Sequence, residues 1–411
     1  MIPNLFEPVT RPLAGWRKFQ SDIGAAYAAN GLVGFIFAAT GPVAVILSVG
    51  VAGGLSEAQL ASWIFGAFFL NGLLSIAFCL LYQRPLVFFW TIPGTVLVGP
   101  ALTHLSFAEV TGAFIVTGLL MLLLGLLGWV RRLMQAIPMA IVMGMVAGVF
   151  LRFGLELVRA VFADTIIVGP MVAIWLVLSA IPRLGRRLPP IIGALLVGAS
   201  MTILFGRFDP TATLQFELIR PVMQVPVWSI AAMVELVVPL AITVLVVQNG
   251  QGFAVLKAGE HAPPINAVTL ACGIGSVITA IVGGVSTCLT GPTNAIVISS
   301  GEQKRQYTAA MFVGCLALVF GLLAPTFTRL LLVSPKSLVM ALAGLAMLRV
   351  LQTAFVTAFK ERFSFGALVA FLVSVADVPL LNIGAAFWGL VSGVAISLLL
   401  ERSDFAAETK S

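Results

Sequence analysis

The apolar residues of this chain come in long blocks rather than at alternating positions. A membrane-crossing helix needs about 20 mainly apolar residues, whereas strands of a membrane β-barrel alternate apolar and polar positions. The blocks therefore predict an all-α polytopic membrane protein. We place fourteen spans at residues 23–49, 60–82, 85–104, 108–130, 134–158, 164–182, 189–206, 227–256, 264–283, 284–300, 306–332, 335–357, 363–380 and 384–400.

Composition and charge support the membrane assignment. Of the 411 residues, 60% are hydrophobic and only 9% are charged, whereas soluble domains carry about 25% charged residues. The net charge of +7 does not indicate a nucleic-acid partner, because the basic residues form short clusters between the apolar blocks, such as Arg131-Arg132. Such clusters are typical of the cytoplasmic loops of membrane proteins.

The distribution of basic residues orients the chain. Cytoplasmic loops are enriched in Lys and Arg, and a cytoplasmic N-terminus places 17 of the 23 basic residues on that side. Both termini are therefore predicted to be cytoplasmic. The first 22 residues lack the apolar run of a cleavable signal peptide, so the first span is expected to direct insertion. The basic residues expected outside are Arg152, Arg159, Arg207, Arg220, Arg329 and Lys336.

An internal repeat is visible at a displacement of 197 positions. Pro138, Val142, Met143, Leu151 and Arg152 recur as Pro335, Val339, Met340, Leu348 and Arg349. The same displacement relates Thr111, Ala113, Val116 and Leu119 to Thr308, Ala310, Val313 and Leu316, and Gly94 to Gly291. Because seven spans separate the copies, the second copy must be inverted relative to the first. Inverted repeats with interrupted helices are typical of secondary transporters, whose substrates bind near the middle of the membrane.

The repeat also predicts the domain organisation. The first seven-span repeat covers 23–206 and the second covers 227–400, with a cytoplasmic N-terminal segment at 1–22 and a cytoplasmic tail at 401–411. The polar stretch 207–226 connects the two repeats. It contains three prolines and leaves room for a short amphipathic surface helix.

Proline and glycine interrupt the third and tenth spans at matching places. The third reads FFWTIPGTVLVGP over 88–100, and the tenth reads GGVSTCLTGPTNAIVISSG over 283–301. Proline removes a backbone donor and disfavours helix just before it. We therefore expect a short extended segment in each span, followed by a half-helix beginning near Gly94 and near Gly291. Two half-helix N-termini that face each other would attract an anion such as a carboxylate.

The candidate substrate-binding residues follow from these breaks and from the eighth span. The broken spans contribute Thr91, Gly94, Thr95, Ser286, Thr287, Thr290, Gly291, Thr293 and Asn294. The eighth span contributes Gln248, Asn249 and Gln251, three amides that are costly in a membrane unless they face a cavity, a ligand or one another. The alternative interpretation is structural, with prolines that only kink packed helices and amides that bond between helices. Asn30 and the segment 40–42 are weaker candidates for the same cavity.

Few residues could carry protons within the membrane. The candidates are Glu235 in the eighth span and Asp377 near the end of the thirteenth, although both could instead lie at the membrane interface. Glu156 has an arginine one turn away on either side, so an ion pair is expected there. His104 and His261 fall in predicted loops and are expected to be solvated. The four cysteines form no CxxC pair, so neither a metal site nor a disulfide framework is expected, and no cofactor is expected.

The motifs just described give the chain a family resemblance. The TIPGT of Thr91–Thr95, the QNGQG of Gln248–Gly252 and the STCLTGPTNA of Ser286–Ala295 resemble the benzoate–proton symporter (BenE-type) family, and the similarity runs from about residue 12 to 400. Through more distant likeness to uracil and xanthine permeases and to bicarbonate and sulfate carriers, the resemblance implies a seven-plus-seven inverted fold. Spans 1–4 and 8–11 would form a substrate-carrying core, and spans 5–7 and 12–14 a gate domain.

The resemblance implies import of benzoate or a similar aromatic carboxylate with protons, across the inner membrane of a bacterium. Uracil permeases are expected to carry acidic residues where this chain has Gln248-Asn249 and Pro292-Thr293-Asn294. A site without fixed negative charge suits an anion better than a neutral nucleobase. The expected partners are the aromatic acid, protons and membrane lipid, and a homodimer is left open. A nucleobase or inorganic-anion carrier is the first alternative. An intramembrane enzyme and a channel are remote ones, because no catalytic constellation and no repeated selectivity filter are visible.

Overall fold

Apolar helices dominate the structure, a computed structural model that describes residues 7–9, 16–130, 138–207, 216–360, 362–378, 380 and 385–408. Within these residues, seven helices are long and apolar enough to cross a membrane: Ala25–Ala52, Glu57–Tyr82, Phe107–Leu126, Met139–Ala163, Ile230–Ala258, Gln303–Leu322 and Lys336–Ala358. Six shorter apolar helices are Ile92–Ala101, Thr165–Ala180, Pro190–Leu204, Ile265–Ile281, Ser364–Ala376 and Ala385–Leu400. The helix Gly291–Ile298 completes the set.

These helices occupy all fourteen predicted positions, and we number them as spans 1 to 14 in chain order. The predicted breaks in spans 3 and 10 are confirmed. Span 3 consists of strand β1 (Phe88–Trp90) and the half-helix Ile92–Ala101. Span 10 consists of strand β2 (Thr287–Leu289) and the half-helix Gly291–Ile298. The fold is therefore the predicted all-α polytopic membrane fold with two broken spans.

Four spans are less regular than the sequence pattern predicts, and in span 2 the irregularity is a π-helical turn at Gly66–Leu70. Span 1 breaks at Thr40 into Ala25–Ala39 and Gly41–Ala52, where the Thr40 hydroxyl donates to the Ile36 carbonyl at 2.9 Å and Pro42 follows. Span 11 was predicted as one helix over 306–332, but it divides into Gln306–Leu322 and Ala324–Leu332. Span 8 contains wide π-helical turns at Met233–Val237 and Thr243–Gln248, a distortion that is frequent at functional sites.

Small residues let the helices pack closely in two groups. Span 4 lies against span 9 where Gly118 and Gly273 meet, since a Cβ on either would lie 3.0 Å from the carbonyl oxygen of the other. Span 5 packs along spans 12 and 13, with Gly144 against the backbone of Ala367. Small residues at such crossings are the usual means of helix association in membranes. The assignment of these groups to a moving core and a gate stays a prediction.

The connector between the repeats is extended, not helical, over its described residues. The short surface helix for which the sequence left room is absent from residues 207 and 216–226. Residues 208–215 lie outside the described part of the chain. Backbone N–H groups of Ile219 and Gln224 donate to the ends of spans 11 and 9, at Leu322 and Ile281, at 2.9 and 2.8 Å. Pro221 interrupts helix formation here because it lacks a donor. The connector thus crosses the same end of the bundle from span 11 to span 9.

The N-terminal segment is attached to the opposite end of the bundle. The carboxylate of Glu7 accepts from the backbone N–H groups of Asn266 and Ala267 at 2.8 and 3.0 Å, which caps the start of span 9. Lys18 donates to the Gln83 side chain at 2.6 Å, in the loop before β1. Of the basic residues used for orientation, Arg11, Arg131, Arg132 and Lys410 lie outside the described residues.

Candidate functional site

The two broken spans cross each other through their strands. Strands β1 and β2 pair antiparallel, with Phe89 opposite Cys288. Two further backbone bonds extend the pairing, from Thr91 to the Ser286 carbonyl at 2.9 Å and from Thr290 to the Val87 carbonyl at 3.1 Å. Non-helical backbone inside a membrane protein must be satisfied by neighbouring groups. The pairing does this, and it brings the starts of both half-helices to the middle of the bundle.

Polar side chains from neighbouring spans complete the crossing. Ser75 of span 2 accepts from the Phe88 N–H at 2.8 Å, and Ser276 of span 9 accepts from the Thr287 N–H at 2.9 Å. In each repeat, one serine hydroxyl thus accepts a hydrogen bond from a backbone N–H of the strand. Thr287 also donates its hydroxyl to the Asn71 side chain at 2.8 Å.

Two of the predicted site amides bond to the strands. Asn249 accepts from the Leu289 N–H at 2.7 Å, and Asn294 both accepts from the Val87 N–H and donates to the Val87 carbonyl, each at 3.1 Å. Both asparagines are buried. These contacts favour the alternative interpretation of Asn249 and Asn294, in which the amides hold the structure together, since both side chains already bond to backbone groups.

The two half-helix N-termini are not equivalent. The first half-helix begins at Ile92, two residues before the predicted start, because Thr91 caps it by accepting from the Gly94 N–H at 3.1 Å. The second begins at Gly291 as predicted, and Thr290 makes no side-chain cap. An uncapped helix N-terminus presents N–H groups and partial positive charge. The arrangement therefore leaves the second half-helix as the better anion-binding end.

Gln251 lies directly over this uncapped terminus. A Cβ added to Gly291 would lie 2.5 Å from Gln251 Cγ and 2.7 Å from its Oε1, and the Gln251 side chain is exposed. Gln248 is one turn earlier on the same helix and is 7% exposed. Among the amides of span 8, Gln248 and Gln251 are thus the ones whose side chains are not engaged with the strands.

The remaining candidates are buried. Thr95 donates its hydroxyl to the Thr91 carbonyl at 2.9 Å within its own helix. Thr293 lies against span 1, where a Cβ on Gly34 would be 3.2 Å from Thr293 Cγ2. Ser286 is buried and its hydroxyl has no hydrogen-bond partner within the described residues. The structure thus gathers all twelve predicted residues around one crossing, but engages several of them in holding it together.

A large cavity lies next to this crossing, and we call it the vestibule. It has a volume of about 790 Å³, and its walls come from spans 1, 3, 8 and 11 on one side and spans 5 and 12–14 on the other. That volume is in the range of small-molecule sites. The wall reaches Val96 and Leu97 of the span 3 half-helix, next to Thr95, but the twelve predicted substrate residues do not line it. Glu235 and Asp377 both do.

Both histidines are partnered, so the expectation that they are solvated is wrong. His104 Nε2 lies 2.9 Å from Glu235 Oε2, and Glu235 is only 4% exposed. His261 Nε2 lies 2.7 Å from Gln306 Oε1, and burial lowers the pKa of His261 while this hydrogen bond acts in the opposite direction. The position of each histidine in a loop could not predict these contacts, because Glu235 is 131 residues from His104 and Gln306 is 45 residues from His261.

Glu235 is therefore buried in a bonded pair, not exposed at the interface. The predicted ion pair of Glu156 is present with Arg159 at 2.7 Å, whereas Arg152 is not part of it.

An inverted seven-plus-seven repeat whose two broken spans cross at the centre of the bundle defines this protein as a membrane transporter. The chain belongs to the BenE family of benzoate membrane transport proteins, which matches residues 21–399. Inner membrane protein YdcO of Escherichia coli is 29% identical over 386 residues that cover 91% of this chain and 97% of that protein. The benzoate membrane transport protein of Acinetobacter baylyi is 26% identical over 391 residues, covering 93% of this chain and 97% of that protein.

Solved structures share the fold at low sequence identity. The transmembrane domain of the cyanobacterial bicarbonate transporter BicA aligns with a TM-score of 0.63 and 17% identity, covering 90% of this chain and 98% of that domain. The murine Solute Carrier 26 family member A9 anion transporter aligns with a TM-score of 0.61 and 13% identity, covering 90% of this chain and 68% of that protein. The family match confirms the resemblance to the BenE family, and the protein is a transporter rather than an enzyme.

Proposed function

We propose that this transporter imports benzoate or a similar small aromatic carboxylate together with protons, by alternating access. Family membership supports an aromatic acid, and the curated relative from Acinetobacter baylyi is named for benzoate. The observation that carries the proposal is the uncapped half-helix at Gly291 beneath the Gln251 side chain. The backbone N–H groups at the start of this half-helix and the amide of Gln251 can donate hydrogen bonds to the same carboxylate. Gln248, Gln251 and Thr293 carry no negative charge that would repel it.

The proposed movement uses the two packed groups of spans. Spans 1–4 and 8–11 form the core that carries the half-helices, and spans 5–7 and 12–14 form the gate. The vestibule between them supports this division, because its walls come from both groups. With both termini in the cytoplasm of a bacterial cell, the vestibule opens on the outer side of the inner membrane. Cysteine labelling from each side of the membrane tests that orientation, and an external C-terminus contradicts it.

The function is tested by uptake into proteoliposomes that contain the purified protein. We expect saturable uptake of radiolabelled benzoate that an inward proton gradient accelerates, measured above pH 7 so that almost all of the acid is ionised and crosses lipid slowly. Protein-free liposomes give the passive background. Unlabelled aromatic acids should compete, while uracil, sulfate and bicarbonate should not.

An inorganic-anion carrier is the second candidate, because an uncapped helix terminus accepts any small anion and the aligned BicA structure is a bicarbonate transporter. Competition by bicarbonate or sulfate, with benzoate inert, would favour this candidate over the aromatic acid.

The two free glutamines should determine substrate affinity. If Gln248 and Gln251 donate hydrogen bonds to the carboxylate, Gln→Ala at either should weaken benzoate binding by about 1.5–3 kcal/mol, or about ten- to a hundredfold. Gln→Glu should be worse at neutral pH, because it places a second negative charge beside the substrate. At lower pH the new carboxyl becomes protonated and donates again, so the penalty should ease. Binding to purified variants at two pH values measures both effects.

Asn249→Ala is the matched contrast for these variants. It removes an amide from the same helix, but one whose oxygen accepts from the Leu289 N–H. Leaving that buried donor unpaired should cost about 1–3 kcal/mol of stability, so the expected loss is in folded yield. Wild-type affinity in Gln248→Glu and Gln251→Glu at neutral pH would remove both glutamines from the site.

A further inference from the structure

Arg152 is a charged side chain in the middle of a membrane-crossing helix. It lies eleven residues before the end of Met139–Ala163, which corresponds to about 16 Å at the rise of an α-helix. Its side chain is exposed and lines the vestibule. An arginine at such depth is costly unless it faces water or a partner, and is a functional candidate by default.

The guanidinium of Arg152 is not committed to an ion pair. Among the described residues, the salt bridges link His104 to Glu235, Arg159 to Glu156 and Arg329 to Glu57. Arg152 forms neither a hydrogen bond nor a salt bridge with the described residues. It is therefore available to an anion that enters the vestibule.

Asp377, at the end of span 13, lines the same vestibule as Arg152 of span 5. The carboxylate of Asp377 is attracted to the positive charge of Arg152 and, to a smaller extent, to His104 of the loop after span 3. The titratable and charged groups that line the vestibule are Arg152, Glu156, Arg159, Glu235, Lys336 and Asp377. Because Glu156 is paired with Arg159 and Glu235 with His104, Asp377 is the remaining acidic competitor for Arg152.

The side chains around Arg152 suit the aromatic ring of an aromatic acid. Leu97, Phe153, Met340 and Phe387 contribute apolar surface to the same cavity. A guanidinium can bind a carboxylate through two parallel hydrogen bonds, while the apolar wall removes the ring from water. The vestibule thus offers both contacts that an aromatic carboxylate needs.

The inverted repeat supplies a second arginine at the equivalent place. Arg349 is the counterpart of Arg152 in span 12, and it is likewise exposed, with its guanidinium donating to Gln352 Oε1 at 3.1 Å. Because the second repeat is inverted, the helices that carry the two arginines cross the bundle in opposite directions. Alternating access would expose each on its own side of the membrane.

We propose that Arg152 is a substrate-docking residue that binds the carboxylate of the aromatic acid in the vestibule before it reaches the half-helix termini. Asp377 competes for the same guanidinium, so a proton on Asp377 favours docking and links proton binding to substrate binding on that side. Arg349, the counterpart of Arg152 in the second repeat, would bind the carboxylate from the cytoplasmic side. The inference rests on the proposed import of an aromatic carboxylate.

The test compares initial rates of benzoate uptake by intact cells at pH 7.5. Arg152→Gln should raise KM about tenfold, the scale for a hydrogen bond to a charged group, with the maximal rate within about twofold. Inhibition by benzamide, which carries no charge, should be unchanged. The matched control is the double variant Glu156→Gln with Arg159→Gln, since these two residues line the same vestibule and are paired with each other. Its KM should stay within about twofold of wild type.

Two further variants test the competition and the symmetry. Asp377→Asn should lower KM at pH 7.5 and flatten the dependence of KM on pH, and it should have no such effect when combined with Arg152→Gln. Arg349→Gln should raise KM for benzoate in inverted membrane vesicles, where the cytoplasmic side faces the medium.

The outcomes separate this inference from the proposed function. An unchanged KM in Arg152→Gln, with normal amounts of protein in the membrane, overturns the docking role. If that variant does not reach the membrane, Arg152→Lys replaces it. A lysine keeps the charge but loses the paired geometry, so its benzoate KM should rise about threefold, and an unchanged value overturns the inference equally. Absence of benzoate uptake by the wild-type protein overturns the proposed function itself.

Discussion

Replacing Gly291 with leucine is expected to abolish transport, a loss of about a hundredfold or more in uptake, while the protein still inserts into the membrane. A Cβ at this position would lie 2.5 Å from Gln251 Cγ, closer than real atoms approach. The leucine would therefore push Gln251 away from the half-helix terminus and fill the space where the carboxylate is expected to bind. Uptake of benzoate, normalised to the amount of protein in the membrane, measures the effect.

The matched control is Gly169→Leu in span 6. A Cβ on Gly169 would have its nearest neighbour at 3.5 Å, an ordinary contact with Thr165, so uptake should remain near wild type. A double-mutant cycle identifies the cause of the loss. Gly291→Ala should be impaired on its own, but combined with Gln251→Ala it should be no worse than Gln251→Ala alone, because the clash is gone.

Gly94→Leu should be inactive as well, since its Cβ would meet Leu240 Cδ2 at 2.9 Å. Wild-type uptake by both the Gly291→Leu and Gly94→Leu variants would exclude a binding site built on the half-helices.

The breaks in spans 3 and 10 could be predicted because their cause is local. Pro93 and Pro292 each lack a backbone donor, which a helix tolerates only in its first turn, and each is the second residue of a half-helix. This constraint operates wherever the chain folds. The start of the first half-helix was misplaced by two residues for a local reason too, since the Thr91 hydroxyl supplies a cap that moves the boundary back to Ile92.

The partners of the polar residues could not be predicted, because they depend on which spans meet. Asn249 and Asn294 both qualified as ligand-binding amides by type and depth. Their bonds to Leu289 and Val87 arise only when span 8 and the second half-helix lie beside the crossed strands. His104 was likewise assigned to solvent from its loop, although Glu235, 131 residues later, lies beside it. Periodicity along one span carries no information about such contacts.

The vestibule could not be predicted from the pattern of apolar and polar residues. One residue of its wall, however, belongs to the internal repeat. Arg152 recurs as Arg349, and a charged residue kept in both copies at mid-helix is a signal that periodicity alone would miss. The repeat therefore carried functional information beyond topology.

Glu235→Gln is expected to abolish proton-driven accumulation of benzoate while leaving exchange of benzoate for benzoate intact. Glu235 is 4% exposed, lines the vestibule and lies 2.9 Å from His104 Nε2. A buried carboxylate without a compensating partner is very costly, and the partner of Glu235 is His104. We expect Glu235 to take up a proton from the vestibule and to release it after the vestibule closes. Glutamine keeps the size and the hydrogen bond of the protonated acid but cannot release the proton.

Two measurements on proteoliposomes separate coupling from transport. Accumulation against a benzoate gradient requires the proton, whereas counterflow of labelled benzoate requires only the moving carrier. Glu235→Gln should retain counterflow and lose accumulation, and His104→Gln, which replaces the partner of Glu235, should weaken accumulation. Glu156→Gln is the control, because Glu156 lines the same vestibule but is paired with Arg159 at 2.7 Å, and it should accumulate benzoate normally. Normal accumulation by Glu235→Gln, together with its loss in Asp377→Asn, would transfer the coupling role to Asp377.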